Sequence, residues 1–181
     1  MIIIPIIDEL IPELEVFCQK AWQLGYTNNA SLKAMKYDWC KENGEYFCAI
    51  KDDDIIAVAG CHKLPEVNDN AWRILFRGCE LPGSSPYKGL NKGDWNSITQ
   101  RDFIPKFIDY IPSKDLYIST NISNEHSGKA LRNHKIMNIL AKQKDAYIDD
   151  MGDMVLNQTH QTIWKLNIDK YLNRRSRLNV V

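Results

Sequence analysis

The chain has 181 residues, about one domain by the usual span of roughly 100 to 200 residues. With 44% hydrophobic, 25% charged and 10% aromatic residues, it has soluble globular proportions, which exclude a disordered, collagenous or disulfide-dense chain. Lys plus Arg and Asp plus Glu balance at 23 each, so no overall field draws nucleic acid or an anionic membrane, and neither is expected as a partner. A single basic cluster, Arg174, Arg175 and Arg177, lies near the end.

The opening run Met1 to Ile7 is β-branched and short enough for a buried strand. It is far short of the roughly 20 apolar residues that cross a bilayer, and it lacks the basic flank and small-residue cleavage site of a secretory signal. A cytoplasmic location is expected. The five cysteines, Cys18, Cys40, Cys48, Cys61 and Cys79, form an odd set without a C-x-x-C pair, which fits reduced, mostly buried thiols.

Asp8 offers a cap for a helix with apolar positions Leu10, Leu14, Phe17, Ala21 and Leu24, ended by Gly25. A second short helix places Leu32, Met35 and Trp39 on one stripe and stops at Gly44. Glu45 to Lys51 and Ile55 to Leu64 read as strands joined by a tight turn at Asp52-Asp53-Asp54, and Ala71 to Leu81 reads as a third antiparallel strand. A Gly/Pro/Ser-rich stretch, Leu81 to Gly93, leads into a helix from Asp94 to Ile111 with a kink expected at Pro105, where a hydrogen bond is missing. Asp115 to Ser119 is a strand, Ser127 to Lys142 a helix, and Ala146 to Leu156 with Gln161 to Ile168 a closing pair of strands. A short helix and tail over 169–181 complete one domain spanning 1–181. The class is α/β: a mixed, mostly antiparallel sheet flanked by helices.

This order of elements resembles the GNAT superfamily of acyl-CoA-dependent N-acetyltransferases over nearly the whole chain. The segment after the third hairpin strand sharpens the resemblance. There the superfamily carries a proline and then an Arg/Gln-x-x-Gly-x-Gly loop opening a helix. Here Pro82 follows the strand, and Lys88-Gly89-Leu90-Asn91-Lys92-Gly93 looks like that loop, with Lys88 in place of the arginine or glutamine and Asn91 in place of the first glycine. The chemistry asks for backbone N–H groups facing a pyrophosphate at a helix N-terminus. Asn91 is the non-glycine residue best suited to a left-handed turn, and Gly93 permits close approach. A plain strand-to-helix loop is the alternative.

The resemblance implies acetyl-CoA as co-substrate, no metal, and cofactor contacts from Leu81, Lys88, Gly89, Leu90, Asn91, Lys92, Gly93, Asp94, Asn121 and Asn124. Asn124, three before Ser127, either bonds the pantetheine arm or caps the following helix. The tyrosine that many members use as general acid falls at Leu131. Glu80, at a strand end where members often place a glutamate, is the general-base candidate beside a plain surface carboxylate. His62 on the neighbouring strand is the second, beside a structural histidine.

Arg73 and Arg77 share one face of a central strand and either reach solvent or bind an anionic substrate group. Cys79 with His62 lacks the activating context of a nucleophile. His126 and His134, eight apart, have no partner at metal-ligand spacing. Trp164 reads as core or as a wall of the substrate pocket. The function expected is transfer of an acetyl group to an amine, small molecule or protein, by direct attack, with a backbone N–H near Leu81 at the oxyanion. The alternatives are a non-catalytic CoA- or protein-binding member of the same fold and an unrelated α/β binding module. A homodimer is left open.

Overall fold

The structure is a computed structural model, which describes residues 1–24, 37–75, 81, 86–87, 98–122, 128–156 and 158–178. Two compact units emerge: Met1–Lys63 with Leu75–Tyr110, and Leu64–Ile74 with Ile111–Val181.

In the first unit, β1 (Ile2–Pro5) pairs antiparallel with β2 (Gly44–Lys51), which pairs antiparallel with β3 (Asp54–Lys63). The β2–β3 turn is the one expected. Asp52 and Asp53 take φ of 53° and 64°, the left-handed pair that a two-residue hairpin turn demands and that short polar side chains tolerate. Gly44 does more than stop a helix. It opens β2, and a Cβ there would lie 1.8 Å from the Cys61 carbonyl oxygen, so only glycine lets the strands approach.

Helix α1 (Ile11–Gln23) carries Pro12 in its first turn, where a missing N–H costs nothing. It buries Leu14, Phe17, Cys18 and Ala21 against Tyr46, Cys48, Ile55 and Val58, together with Tyr37 of α2 (Tyr37–Asn43). Each fully buried leucine or phenylalanine contributes roughly 1.5–3 kcal/mol. Two expectations shift here. Leu24 is exposed. Asp8 lies in a 3-10 turn, Asp8–Leu10, with no side-chain cap bond, and its carboxylate instead takes the Lys41 ammonium.

Phe47 points to the opposite face of β2 from Tyr46, as strand alternation requires, and meets Phe107 and Tyr110 edge-on. These belong to α3 (Ile104–Tyr110), entered through a π-turn, Thr99–Phe103. The Ile104 N–H reaches the Thr99 carbonyl five residues back. Pro105 lacks an N–H and would crowd the carbonyl of Arg101, and the wider turn takes up both defects. The kink expected at Pro105 is therefore met by a π-turn one residue ahead of it.

In the second unit, β4 (Ala71–Leu75) pairs parallel with β5 (Asp115–Asn121). Next comes β7 (Thr159–Leu166), antiparallel to β5, and β6 (Ile148–Leu156), antiparallel to β7. One face buries Leu64, Ala71, Tyr117, Leu156 and Ile163. The other holds Trp164, fully buried, beneath α4 (Gly128–Ala141). Helix α5 (Ile168–Leu178) is capped by Asn167, whose side-chain oxygen accepts the Lys170 N–H. The class expected from the sequence, mixed and mostly antiparallel α/β, is the one found. Among the described residues no helix is long and apolar enough to cross a membrane.

Candidate active site

Parallel neighbours cannot be joined by a hairpin and need a crossover. Between β4 and β5 the chain therefore passes through the glycine-rich stretch and α3. The β4–β5 ladder runs from Ala71↔Asp115 to Ile74↔Ile118, and β5 continues to Asn121, which pairs with Gln161 of β7. Asn121 thus sits at the C-terminal end of a parallel strand ahead of a helix, the place where α/β sheets hold ligands. Residues 76–80, expected to continue the β4 strand, lie outside the described residues.

His62 lies near the end of β3, opposite Gly44, and is 5% exposed. Its Nδ1 is 2.7 Å from the Lys63 carbonyl oxygen. An oxygen acceptor requires the proton on Nδ1, which puts the imidazole lone pair on Nε2. Leu81 donates its N–H to the Ile56 carbonyl at 3.1 Å and packs against the α1 core. That N–H is spent within the fold.

Arg73 is 9% exposed, which removes the alternative that it reaches solvent. Its Nη2 donates to Gln161 Oε1 at 2.8 Å, the same oxygen that accepts the Ser119 hydroxyl at 2.6 Å. Gln161 is held in turn by donating Nε2 to Thr159 Oγ1 at 2.9 Å. Arg73, Ser119 and Gln161 thus make a polar patch on one face of β4, β5 and β7. The sequence pointed to the arginine alone, since a glutamine 88 residues away shows itself only through sheet register.

On the opposite face Trp164 donates its Nε1–H to Thr120 Oγ1 at 2.9 Å, and His134 of α4 approaches the same oxygen through Nδ1 at 3.2 Å. Asn138 donates Nδ2 to the His134 carbonyl and sets the same nitrogen 2.8 Å from His134 Nε2. Nε2 is therefore the acceptor and Nδ1 the donor. Trp164 is core, not a pocket wall. Cys18, Cys48 and Cys61 are buried and form no disulfide. Burial pushes the thiols of Cys18 and Cys48 up to about 11, the reverse of an activated nucleophile.

Of the residues the sequence singled out, Glu80, Arg77, Cys79, His126, Asn124 and the whole loop Lys88, Gly89, Leu90, Asn91, Lys92, Gly93, Asp94 lie outside the described residues. His62, Arg73, Leu81 and Asn121 are described. No group of metal-binding side chains occurs among the described residues.

A parallel pair set among antiparallel strands, followed by a helix at its carboxyl end, marks a mixed α/β fold. Solved structures specify it further. The chain is similar to a protein assigned to the GNAT family of acetyltransferases from Desulfovibrio desulfuricans, with 9% identity over 91% of this chain and 97% of that one and a TM-score of 0.58. It is also similar to a spermidine N-acetyltransferase SpeG chimera from Vibrio cholerae and hSSAT (13% identity, 96% and 100% covered, TM-score 0.52). An aminoglycoside 6'-N-acetyltransferase complexed with coenzyme A matches too (12% identity, 91% and 96% covered, TM-score 0.52). The fold of this chain is the GNAT acetyltransferase fold. No family model and no curated protein matches the sequence.

Proposed function

We propose that the chain is a divergent GNAT superfamily member, one domain over 1–181, that transfers the acetyl group of acetyl-CoA to an amine. The observation that carries this reading is the fold likeness to acetyltransferases, which extends over 91% of the chain or more. The loop Lys88 to Gly93 is the proposed pyrophosphate cradle, supplying backbone N–H groups at a helix start. Leu81, Asp94, Asn121 and Asn124 complete the cofactor contacts. Glu80 is the proposed base, with His62 as the second candidate, since its bond to the Lys63 carbonyl orients the ring.

In the reaction the base takes a proton from the bound ammonium, and the freed amine attacks the thioester carbonyl. The tetrahedral oxyanion is met by a backbone N–H, and the C–S bond breaks as the thiolate leaves and takes up a proton. Polyamines and aminoglycosides are the first acceptors to try, because two neighbours bear those names. Arg73 and Arg77 are the proposed substrate-binding residues for an acceptor that also carries an anionic group, so amines bearing a carboxylate or phosphate join the polyamines and aminoglycosides to be tried. A cytoplasmic location goes with this reading.

Leu131 at the acid position favours one other reading, a CoA-binding member without turnover. The test is binding followed by turnover. CoA at about 100 times its dissociation constant should stabilise the protein by about 2.7 kcal/mol, and Gly93→Val should abolish the shift while the protein stays folded. No thermal shift at millimolar CoA refutes both readings. A shift with no acetylated amine from a panel of polyamines, aminoglycosides and amines that carry a carboxylate or phosphate selects the second.

A further inference from the structure

The Gln161 side chain uses its whole hydrogen-bonding capacity. Its Oε1 accepts the Arg73 Nη2–H at 2.8 Å and the Ser119 hydroxyl at 2.6 Å. Its Nε2 donates to Thr159 Oγ1 at 2.9 Å and to the Leu156 carbonyl at 3.4 Å. A primary amide has two donors and two acceptor lone pairs, so this one cannot turn without breaking bonds to β4, β5 and β6. Gln161 is 7% exposed, where a polar group left unsatisfied is costly, and that penalty holds the amide in place.

The bond to Arg73 takes one of the five N–H donors of a planar guanidinium and holds one edge of the fork. Glutamine does this without cancelling the charge, as a glutamate in its place would. The face opens toward this end of the sheet. Along β5, Tyr117, the register partner of Arg73, is 3% exposed, whereas Ser119 and Asn121 beyond it are half-buried. Asn121 is the residue that pairs with Gln161. The carboxyl ends of parallel strands are where α/β sheets take ligands.

We propose that Gln161 is a specificity-determining residue, which positions the Arg73 guanidinium with its charge retained to receive the carboxylate or phosphate of an acceptor amine. The inference rests on the reading of Arg73 as an acceptor-binding residue. Carboxylate and phosphate share the pair of oxygens that a guanidinium fork matches, and a fork already held loses less freedom on binding than a swinging one.

The test is steady-state acetylation by the full chain of two matched pairs: lysine against cadaverine, which lacks only the carboxylate, and phosphoethanolamine against ethanolamine, which lacks only the phosphate. For wild type, the ratio of kcat/KM between anionic and neutral member should be about tenfold or more in one pair. Which pair shows it tells carboxylate from phosphate. Both rates come from one preparation, so the ratio does not depend on how much of it is folded. Gln161→Glu sets a carboxylate against Arg73 and should lower the ratio by about fivefold or more, through KM of the anionic member. Ser119→Ala removes one bond to Gln161 Oε1 and should lower the ratio about threefold; it decides the question where Gln161→Glu does not fold. Wild type that turns over neither pair, or favours neither anionic member, overturns the reading of Arg73 and this inference with it. A wild-type preference that falls less than about fivefold in folded Gln161→Glu, or is unchanged in Ser119→Ala when Gln161→Glu does not fold, overturns this inference alone. A loss confined to kcat, with KM unchanged, assigns Gln161 to the scaffold and overturns it as well.

Discussion

Thr120→Val tests the polar network beneath α4. Valine matches threonine in shape, so the perturbation is the loss of one oxygen that receives the Trp164 indole N–H at 2.9 Å and faces His134 Nδ1 at 3.2 Å. Trp164 is 0% exposed, and stranding a buried donor costs about 1–3 kcal/mol. His134 is only half-buried and can turn to water, so its share is small. Thr120 itself is 7% exposed, and the added methyl returns at most about 0.8 kcal/mol of apolar burial. The net loss is about 1–2 kcal/mol, or a drop of about 2–8 °C in melting temperature for a chain of this size. Urea denaturation of the wild type, Thr120→Val, Trp164→Phe and the double variant closes a cycle in which the N–H to hydroxyl coupling should be about 1 kcal/mol. Thr120→Val within about 0.5 kcal/mol of wild type, with no coupling in the cycle, would show that the indole N–H does not depend on this oxygen and would refute the reasoning.

Gly44→Ala should cost about 3 kcal/mol or more, because its Cβ would meet the Cys61 carbonyl oxygen at 1.8 Å and backbone cannot step aside. Gly60→Ala, whose Cβ meets the Tyr46 ring at 3.0 Å, should cost clearly less, and equal urea midpoints for the two would contradict the contact. Burial works to raise the Asp115 carboxyl, yet the Lys165 ammonium at 2.7 Å and the hydrogen bonds from Asn68 and Tyr117 outweigh it and hold it below its usual value. A depressed carboxyl stabilises above its unfolded value of about 3.9 and loses that contribution as pH falls through the folded one. The gap between wild type and Asp115→Asn, about 0–1 kcal/mol at neutral pH for a pair this exposed, should therefore shrink as pH falls below the unfolded value, and a gap that widens there would reverse the sign. Glu80→Gln should lower the acetylation rate by about 10² to 10⁴ with CoA affinity kept; a silent Glu80→Gln beside an inactive, folded His62→Ala would move the base to the histidine.

Local chemistry was readable before any tertiary structure. The Asp52-Asp53 turn, the α1 stripe of Leu14, Phe17 and Ala21, and the α/β order of elements follow from side-chain period and turn preference, which act over a few residues and are written directly in the chain. The loop Lys88 to Gly93 reads as a pattern of glycine and charge ahead of an expected helix, and it lies outside the described residues. Other features exist only where distant segments meet. Gly44 reads as a helix stop until β3 is laid beside it. Arg73 reads as reaching either solvent or substrate until parallel pairing and β7 bring Gln161 and Ser119 to it and remove the solvent alternative. Trp164 becomes core only when Thr120, 44 residues earlier, receives its N–H. Tyr87 carries no signal along the chain for the bond it makes to Asp102, 15 residues on. Periodicity and turn chemistry determined the elements, whereas the partner of each buried polar group was decided by register and crossover, since a hydrogen bond needs two atoms within about 3 Å and no local pattern states which distant atom that will be.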